Sequence, residues 1–509
     1  MASRARAEAE RPRSVPKVLG LTLLGALLPG TGLIAGGRRR IGTFVLLVFL
    51  ALVGLVVYVG LTRRDEVIAA AVVPSRLLIT SVLIGVVAVL WIVVIVASHR
   101  SLRPATGGVG GRVLGAVFVG VLCFAVAAPS AVGVQTVLAQ RTLVQDVFQA
   151  QEQSKSATRP STVNVKDPWE GKPRLNLLLL GGDDAPSREG VRTDTVIVAS
   201  IDTKTGNTAL ISLPRNLTFM PFPKDSPLYK FYPNGFGKEG LTLDGRLEWM
   251  LTAMYQNIPD AHPGILGPSD NEGADVLKQS VGEATGLKLD YYLQVNLQSF
   301  PEIVDALGGI TVNVNERVAM GGISSAHIPP KEWIEPGPSQ HLDGRHALWF
   351  ARGRYGADDD QRQIRQRCVI KAIVDAADPQ TLVTKYKAIA KAGQHLLRTD
   401  IPQELLPAMV ELALKVKSAT VSNVTLDPEK LRLKYLHPDY QALRDTVEKA
   451  LESDPVPATT PPTTSVTPTT PATTRKPATP TTTTTTPPPG PTQNLADACA
   501  YNPSGDQPN

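Results

Sequence analysis

Cysteine is scarce in this 509-residue chain: Cys123, Cys368 and Cys499 are the three, with no CxxC pair and no His/Cys cluster. A structural zinc site is excluded, because it needs four closely spaced soft ligands. A P-loop is also missing, so nothing supports phosphate binding on a glycine loop of that type. No GxSxG elbow occurs, and His341 and His346, beside Asp343, read as residues that cap or pack a helix. The formal net charge of +6 is modest, and much of the basic excess borders apolar segments. That distribution suits membrane topology better than nucleic-acid binding, and no nucleic-acid partner is expected.

What the chain does have is apolar length. Residues 1–17 are polar and basic and are expected to form a disordered cytoplasmic tail. Ile41–Leu61, Leu77–Ala97 and Val113–Ala139 carry no charge, and each can cross a bilayer, for which about 20 residues suffice. Val18–Gly37 is different: Leu28-Pro29-Gly30-Thr31-Gly32 interrupts it, and Lys17 and Arg38–Arg40 flank it. Basic flanks prefer the cytoplasm, so 18–37 is expected to be a re-entrant or interfacial hairpin within a membrane region of residues 18–140. Three crossings then place the main domain outside a cell membrane. Residues 141–171 read as a stalk, 172–452 as the globular domain, and 453–509 as a disordered Thr/Pro-rich tail. Outside the cell, Cys368 and Cys499 could pair as a disulfide or stay apart.

Leu175–Asn216 organises the domain. Leu175–Leu180, Thr195–Ile201 and Thr208–Leu213 read as buried strands, with a hairpin loop at Asp202–Asn207. Asp183, Asp184, Arg192, Asp194 and Arg215 fall at the strand ends. Carboxylates there can hold a hard divalent cation, and guanidinium groups can clamp phosphate oxygens. An Asp after Gly-Gly can equally be a turn residue, and an Arg near an Asp a surface ion pair. Farther on, helices are expected at Leu247–Ile258, Ala274–Thr285, Leu297–Leu307 and Gln361–Ala377, and near Pro379–Leu397 and Gln403–Val416. Strands are expected at Tyr291–Asn296 and Ile310–Val314, the latter after a Gly308-Gly309 break. The fold class is α/β: a mixed central sheet flanked by helices, preceded by a helical transmembrane region.

A second basic cluster runs from His341 to Arg367. Arg352 and Arg354 alternate as on an extended segment, while Arg362, Arg365 and Gln366 share one helical face. An arginine row can be a solvated face; two clusters together fit a polyanionic head group better.

With LLLLGGDD, RTDTVIVASID, SLPRN, DYYLQVNLQSFPEIVDALGGITVNV and QHLDGRHALWFARGRYGADDDQRQIRQRCVIKAI, the stretch from Leu175 to Ala377 resembles the LytR-CpsA-Psr family of cell-wall glycopolymer transferases. The variant motifs and the Thr/Pro tail look like its actinobacterial branch. The resemblance implies an α/β domain outside the membrane, with an apolar pocket for a polyprenyl chain beside the sheet. It implies Mg²⁺ (or Mn²⁺) on Asp183 and Asp194. Pyrophosphate would lie among Arg192, Arg215, Arg352, Arg354, Arg362, Arg365 and Gln366. Asp194, Arg192, Arg215, Arg362 and Arg365 would carry the catalysis. Asn216 stands where many members have Asp, Arg367 adds a charge, and Asp184 is an extra carboxylate.

The implied reaction joins a glycan from a polyprenyl-pyrophosphate carrier to a muramic acid hydroxyl of peptidoglycan as a phosphodiester, releasing polyprenyl phosphate. Asp194 and a metal-bound alkoxide are both candidates for the base. An arabinogalactan-type polymer is the expected glycan. The rivals are a polyprenyl-pyrophosphatase and a non-catalytic wall-binding or regulatory membrane protein.

Overall fold

The computed structural model describes residues 14–103, 109–150, 153–160, 164–165, 167–183, 192–296, 300–322, 327–356, 359–377, 397–433, 436–453 and 492–502. They form two units, Met1–Asp146 and Val147–Asn509.

In the first unit, α1 (Val15–Leu27) and α2 (Thr31–Ala35) are separated at Leu28-Pro29-Gly30, where Gly30 takes φ +103°. At 13 and 5 residues, neither piece is long enough to cross a bilayer by itself. Helix α1 starts at Val15, so the basic tail is helical in its last residues. Then follow α3 (Arg39–Thr62), α4 (Arg64–Ala70), α5 (Pro74–Leu102) and α6 (Val109–Val147). Among the described residues, α3, α5 and α6 are long and apolar enough to span a membrane. Helix α6 runs on through Pro129 to Val147, past the expected start of a stalk at 141.

The second unit is built on a seven-stranded mixed sheet. Its strands are β1 (Arg174–Asp183), β2 (Arg192–Asp202), β3 (Thr208–Leu213), β4 (Tyr291–Asn296), β9 (Leu397–Thr399), β10 (Val421–Val424) and β11 (Thr492–Asn494). Their spatial order is β11-β10-β3-β2-β1-β4-β9. β5 (Ile310–Val314) pairs with β8 (Gly337–Leu342), and β6 (Val318–Met320) with β7 (Glu332–Ile334), as small separate ladders.

Side chains alternate across a strand, and here both faces are covered, so the central strands read as unbroken apolar runs. Leu178, Leu180, Val196, Val198, Ile211 and Leu213 face one core. That core is closed by α7 (Leu251–Ala261), α8 (Glu272–Thr285) and α13 (Tyr440–Glu452). Ile197, Ala199 and Leu210 face the other side, against Ile370, Leu495 and Ala498. Ile370 lies on α11 (Asp359–Ala376), and Leu495 and Ala498 on α14 (Leu495–Ala498). A third cluster fills the space under α9 (Phe300–Leu307), α10 (Gly344–Arg352) and α11.

Local signals explain the boundaries. Asp202 Oδ1 accepts from the amides of Lys204 (2.9 Å) and Thr205 (2.7 Å), closing the β2–β3 hairpin as an Asx turn. Asn271 caps α8, and Gly286 ends it at φ +74°. Gly308 and Gly309, at φ +93° and +91°, turn the chain from α9 into β5. Asp343 caps α10 by accepting from the His346 amide at 2.8 Å, and His346 Nδ1 lies 2.7 Å from the same oxygen.

Four expectations change. Arg352 and Arg354 do not alternate along an extended segment: Arg352 closes α10, and Gly353 caps it by donating to the Trp349 carbonyl at 2.7 Å. The expected 247–258 helix begins as a short 3₁₀ turn, Leu247–Trp249, before α7. The helix expected near Pro379–Leu397 lies outside the described residues up to 396, and Leu397 opens β9; Gln403–Leu405 is a 3₁₀ turn leading into α12 (Leu406–Ser418).

The fourth change is at the segments read as a stalk and as a disordered tail. Residues 492–502 belong to the domain: β11 closes the sheet edge on β10, and Cys499 is disulfide-bonded to Cys368 on α11, with Cα atoms 5.6 Å apart. The 141–171 stretch is stitched down as well. Buried Asp275 accepts from Ser156 Oγ (2.9 Å), the Ala157 amide (3.0 Å) and the Thr158 hydroxyl. Asp400, also buried, accepts from Ser156 Oγ at 3.0 Å, Lys278 Nζ at 2.7 Å and the Tyr292 amide at 2.7 Å. Polar residues that look solvated in sequence are here the partners of buried carboxylates.

Candidate active site

The register of the first three strands assembles the site. β1 and β2 pair regularly as far as Gly181 opposite Thr195, and then slip, so that Gly182 faces Thr193 and Asp183 faces Arg192. Asp194 is the residue left without a partner: it is the extra residue of a bulge. A bulge re-aims a side chain at the end of a ladder. On its other edge β2 pairs with β3, Val196 opposite Leu213. Two residues farther along each strand, Asp194 lies opposite Arg215, and Arg215 Nη1 donates to Asp194 Oδ1 at 2.6 Å.

The second arginine cluster reaches the same carboxylate. Arg354 Nη2 stands 3.6 Å from Asp194 Oδ1. Arg362, buried on α11, donates to the Asp194 carbonyl at 3.2 Å. Burial of Asp194 favours its neutral form, but Arg215, Arg354 and Arg362 outweigh that and hold the carboxyl below its ordinary range. Arg192, two residues before Asp194 on the same strand, is ion-paired with Glu248. Glu248 is in turn held by Asn257 Nδ2 at 3.1 Å.

The remaining sequence candidates are placed differently. Arg365 shares its helix with Arg362 but turns its guanidinium to the α10 end, where it donates to the carbonyls of Phe350 (2.8 Å) and Gly353. It therefore fixes the corner that presents Arg354. Arg352 is exposed, with its guanidinium 5.1 Å from the Trp349 ring centre. Gln366 is half-buried on α11, Arg367 is buried and Asn216 is exposed. The backbone of Asp183 ends β1 beside Arg192; its side chain, and Asp184 entirely, lie outside the described residues. Glu248 had no signal in the sequence, since only the fold brings it to Arg192.

Two guanidinium groups, Arg215 and Arg354, thus meet the ionised Asp194 carboxylate at the rim of the sheet, and a third, Arg362, holds its main-chain carbonyl. The comparisons agree on the family. The profile of the LytR_cpsA_psr family matches residues 138–452. The chain belongs to this family. A polyisoprenyl-teichoic acid–peptidoglycan teichoic acid transferase TagU from Oceanobacillus iheyensis is 29% identical over 244 residues, which is 48% of this chain and 63% of that protein. The match thus spans less than two thirds of that relative's own length. The TagU of Bacillus subtilis is 25% identical over 260 residues, 51% of this chain and 68% of that protein. Among solved structures, a LytR-Csp2A-Psr enzyme from Actinomyces oris covers 54% of this chain and 88% of its own, at 18% identity and a TM-score of 0.34.

Proposed function

We propose that this family member is a membrane-anchored phosphotransferase. It moves a glycopolymer from a polyprenyl-pyrophosphate carrier to a muramic acid hydroxyl of peptidoglycan. The observation that carries the reading is the convergence of Arg215, Arg354 and Arg362 on Asp194. The relatives' names, transferases acting on polyisoprenyl-linked teichoic acid and peptidoglycan, support it. The acceptor oxygen attacks the phosphorus next to the glycan. The bond from that phosphorus to the bridging oxygen breaks, and polyprenyl phosphate leaves with the bridging oxygen and takes up the proton that the acceptor hydroxyl loses. Guanidinium groups fixed beforehand around the phosphoryl oxygens stabilise the charge that builds there without reorganising. Arg192 joins them when it exchanges Glu248 for a phosphate oxygen.

Asp194 is held ionised and below its usual range. A weak base of that kind is better suited to holding cations than to removing a proton. Magnesium (or manganese) fits the donor set: it takes one or two carboxylates plus substrate phosphate oxygens. Asp194 on the bulge, with Asp183 at the end of the neighbouring strand, would provide those carboxylates. Bound there, the ion would neutralise pyrophosphate charge.

The test uses the full-length protein in detergent with a polyprenyl-pyrophosphoryl saccharide, Mg²⁺ and peptidoglycan fragments. Glycan attached to the fragments, and lost in Arg362→Ala and Asp194→Ala, is the expected result. Carrier hydrolysis without attachment replaces the transferase with a pyrophosphatase. Binding without either product leaves a non-catalytic lipid-head-group protein.

A further inference from the structure

The membrane unit holds a groove of about 460 Å³ that the transferase reading does not use. It lies between the segment after α2 and the last turns of α5, and Arg38, Ile92, Val96, Ala97 and Arg100 line it. Close packing of small residues creates it. A Cβ built on Gly36 would fall 2.5 Å from Ser101 Cβ, and one on Gly32 would fall 2.7 Å from Ser98 Cβ. Only glycine lets α2 lie that near α5, and that approach sets Arg38 and Arg100 on the rim of one groove.

Ile92, Val96 and Arg100 are spaced by four, so they stack along one face of α5. An apolar wall therefore ends at a cation, the Ile92-to-Arg100 row running about two turns, roughly 12 Å in all. Both arginines are exposed. Neither has an acidic partner among the described residues; the ion pair described in this unit, Arg63–Glu66, lies at the far end of α3. Arg39, Arg40, Arg103 and Arg112 gather within a few residues of the same helix ends. A membrane helix from another protein would fill the apolar wall but leave both cations unmatched. A free anion would match the cations but leave the wall bare.

We infer that this groove is a binding site for one anionic phospholipid, its phosphodiester gripped by Arg38 and Arg100 and an acyl chain laid along Ile92 and Val96. Guanidinium groups suit phosphate oxygens through paired hydrogen bonds, and basic pockets between membrane helices recognise acidic head groups in this way. The inference concerns the membrane unit alone and stands whether or not the transferase reading does.

Native mass spectrometry of the full-length, delipidated protein, titrated with phosphatidylglycerol or phosphatidylcholine, tests it. The protein should retain one phosphatidylglycerol, and the Arg38→Gln/Arg100→Gln pair should weaken that binding at least about tenfold, as two lost cation–phosphate contacts require. The charge-matched pair Arg40→Gln/Arg112→Gln should stay within about twofold, because it leaves the groove intact. Ala97→Phe keeps every arginine but fills the groove, and should also lose the lipid, which decides the matter if the double arginine variant does not fold. Equal retention of phosphatidylcholine, equal weakening by both arginine pairs, displacement of the lipid by inorganic phosphate, or full retention by Ala97→Phe would each overturn the site.

Discussion

Arg215 and Asp194 meet at 2.6 Å across the ends of two neighbouring strands, with side chains about a third and a quarter exposed. The bulge at Asp194 turns its carboxylate toward the arginines of α11 and the α10 end while it still reaches Arg215. One residue thus joins the two arginine clusters, which lie more than a hundred positions apart in the chain.

Removal of Arg215 should be costly to the reaction and mild for the fold. Arg215→Ala is expected to lower the transfer rate by roughly 10²–10³, the usual cost of losing one fixed donor at a developing charge. Its melting temperature should move little, since partly exposed pairs contribute about 1 kcal/mol or less. Steady-state transfer and thermal unfolding on the same preparation check this; an unchanged rate removes Arg215 from the site.

The depressed pKa of Asp194 has a signed consequence. A carboxyl whose folded pKa is below its unfolded one adds stability above the ordinary value, about 3.9, and loses it as the pH falls through the folded value. Wild type should therefore exceed Asp194→Asn in melting temperature near neutrality, and the two should converge below about pH 4. Parallel curves across that range would count against the ionised state.

Arg365 should act through the corner it holds. Arg365→Lys cannot reach both the Phe350 and Gly353 carbonyls with one ammonium. Transfer should fall at least about tenfold with the arginines of the site intact, and the loss should appear mainly in turnover if the misplaced Arg354 acts in the transition state. A variant as active as wild type would make Arg365 merely structural.

Asp275 ties the membrane-proximal segment to α8. Asp275→Ala leaves the Thr158 hydroxyl and the Ala157 amide without this acceptor and Ser156 Oγ with Asp400 alone, at a cost of roughly 3 kcal/mol. Denaturant unfolding should show that loss, and trypsin should cut faster at Lys155. Unchanged cleavage would mean that the segment is held some other way.

Much of this was readable in advance, for physical reasons. β1, β2 and β3 are covered on both faces, so burial wrote unbroken Leu, Ile and Val runs into the sequence. The β2–β3 turn, the Gly308-Gly309 break and the Asp343 cap each depend on neighbours in the chain, and local chemistry is visible locally. Asp194, Arg215, Arg354 and Arg362 were marked by their motifs, and the fold brings them together. Arg365 and Arg352 lay on the same marked stretches, but no spacing rule reveals that one is drawn to the carbonyls of α10 and the other stacks on Trp349. Glu248, Asp275 and Asp400 were hidden because their partners are distant in sequence. Thr492–Asn494 was hidden because three polar residues become a strand only when β10 presents a free edge.

Cys368 and Cys499 stand 131 positions apart, and their bond closes that length of chain into a covalent ring that contains residues 454–491. A protease cutting once within that Thr/Pro-rich tract would leave a two-piece molecule of undiminished mass. The fragment bearing β11 would separate only after a reductant broke the disulfide, so a nicked population would be resolved on a reducing gel and stay joined on a non-reducing one.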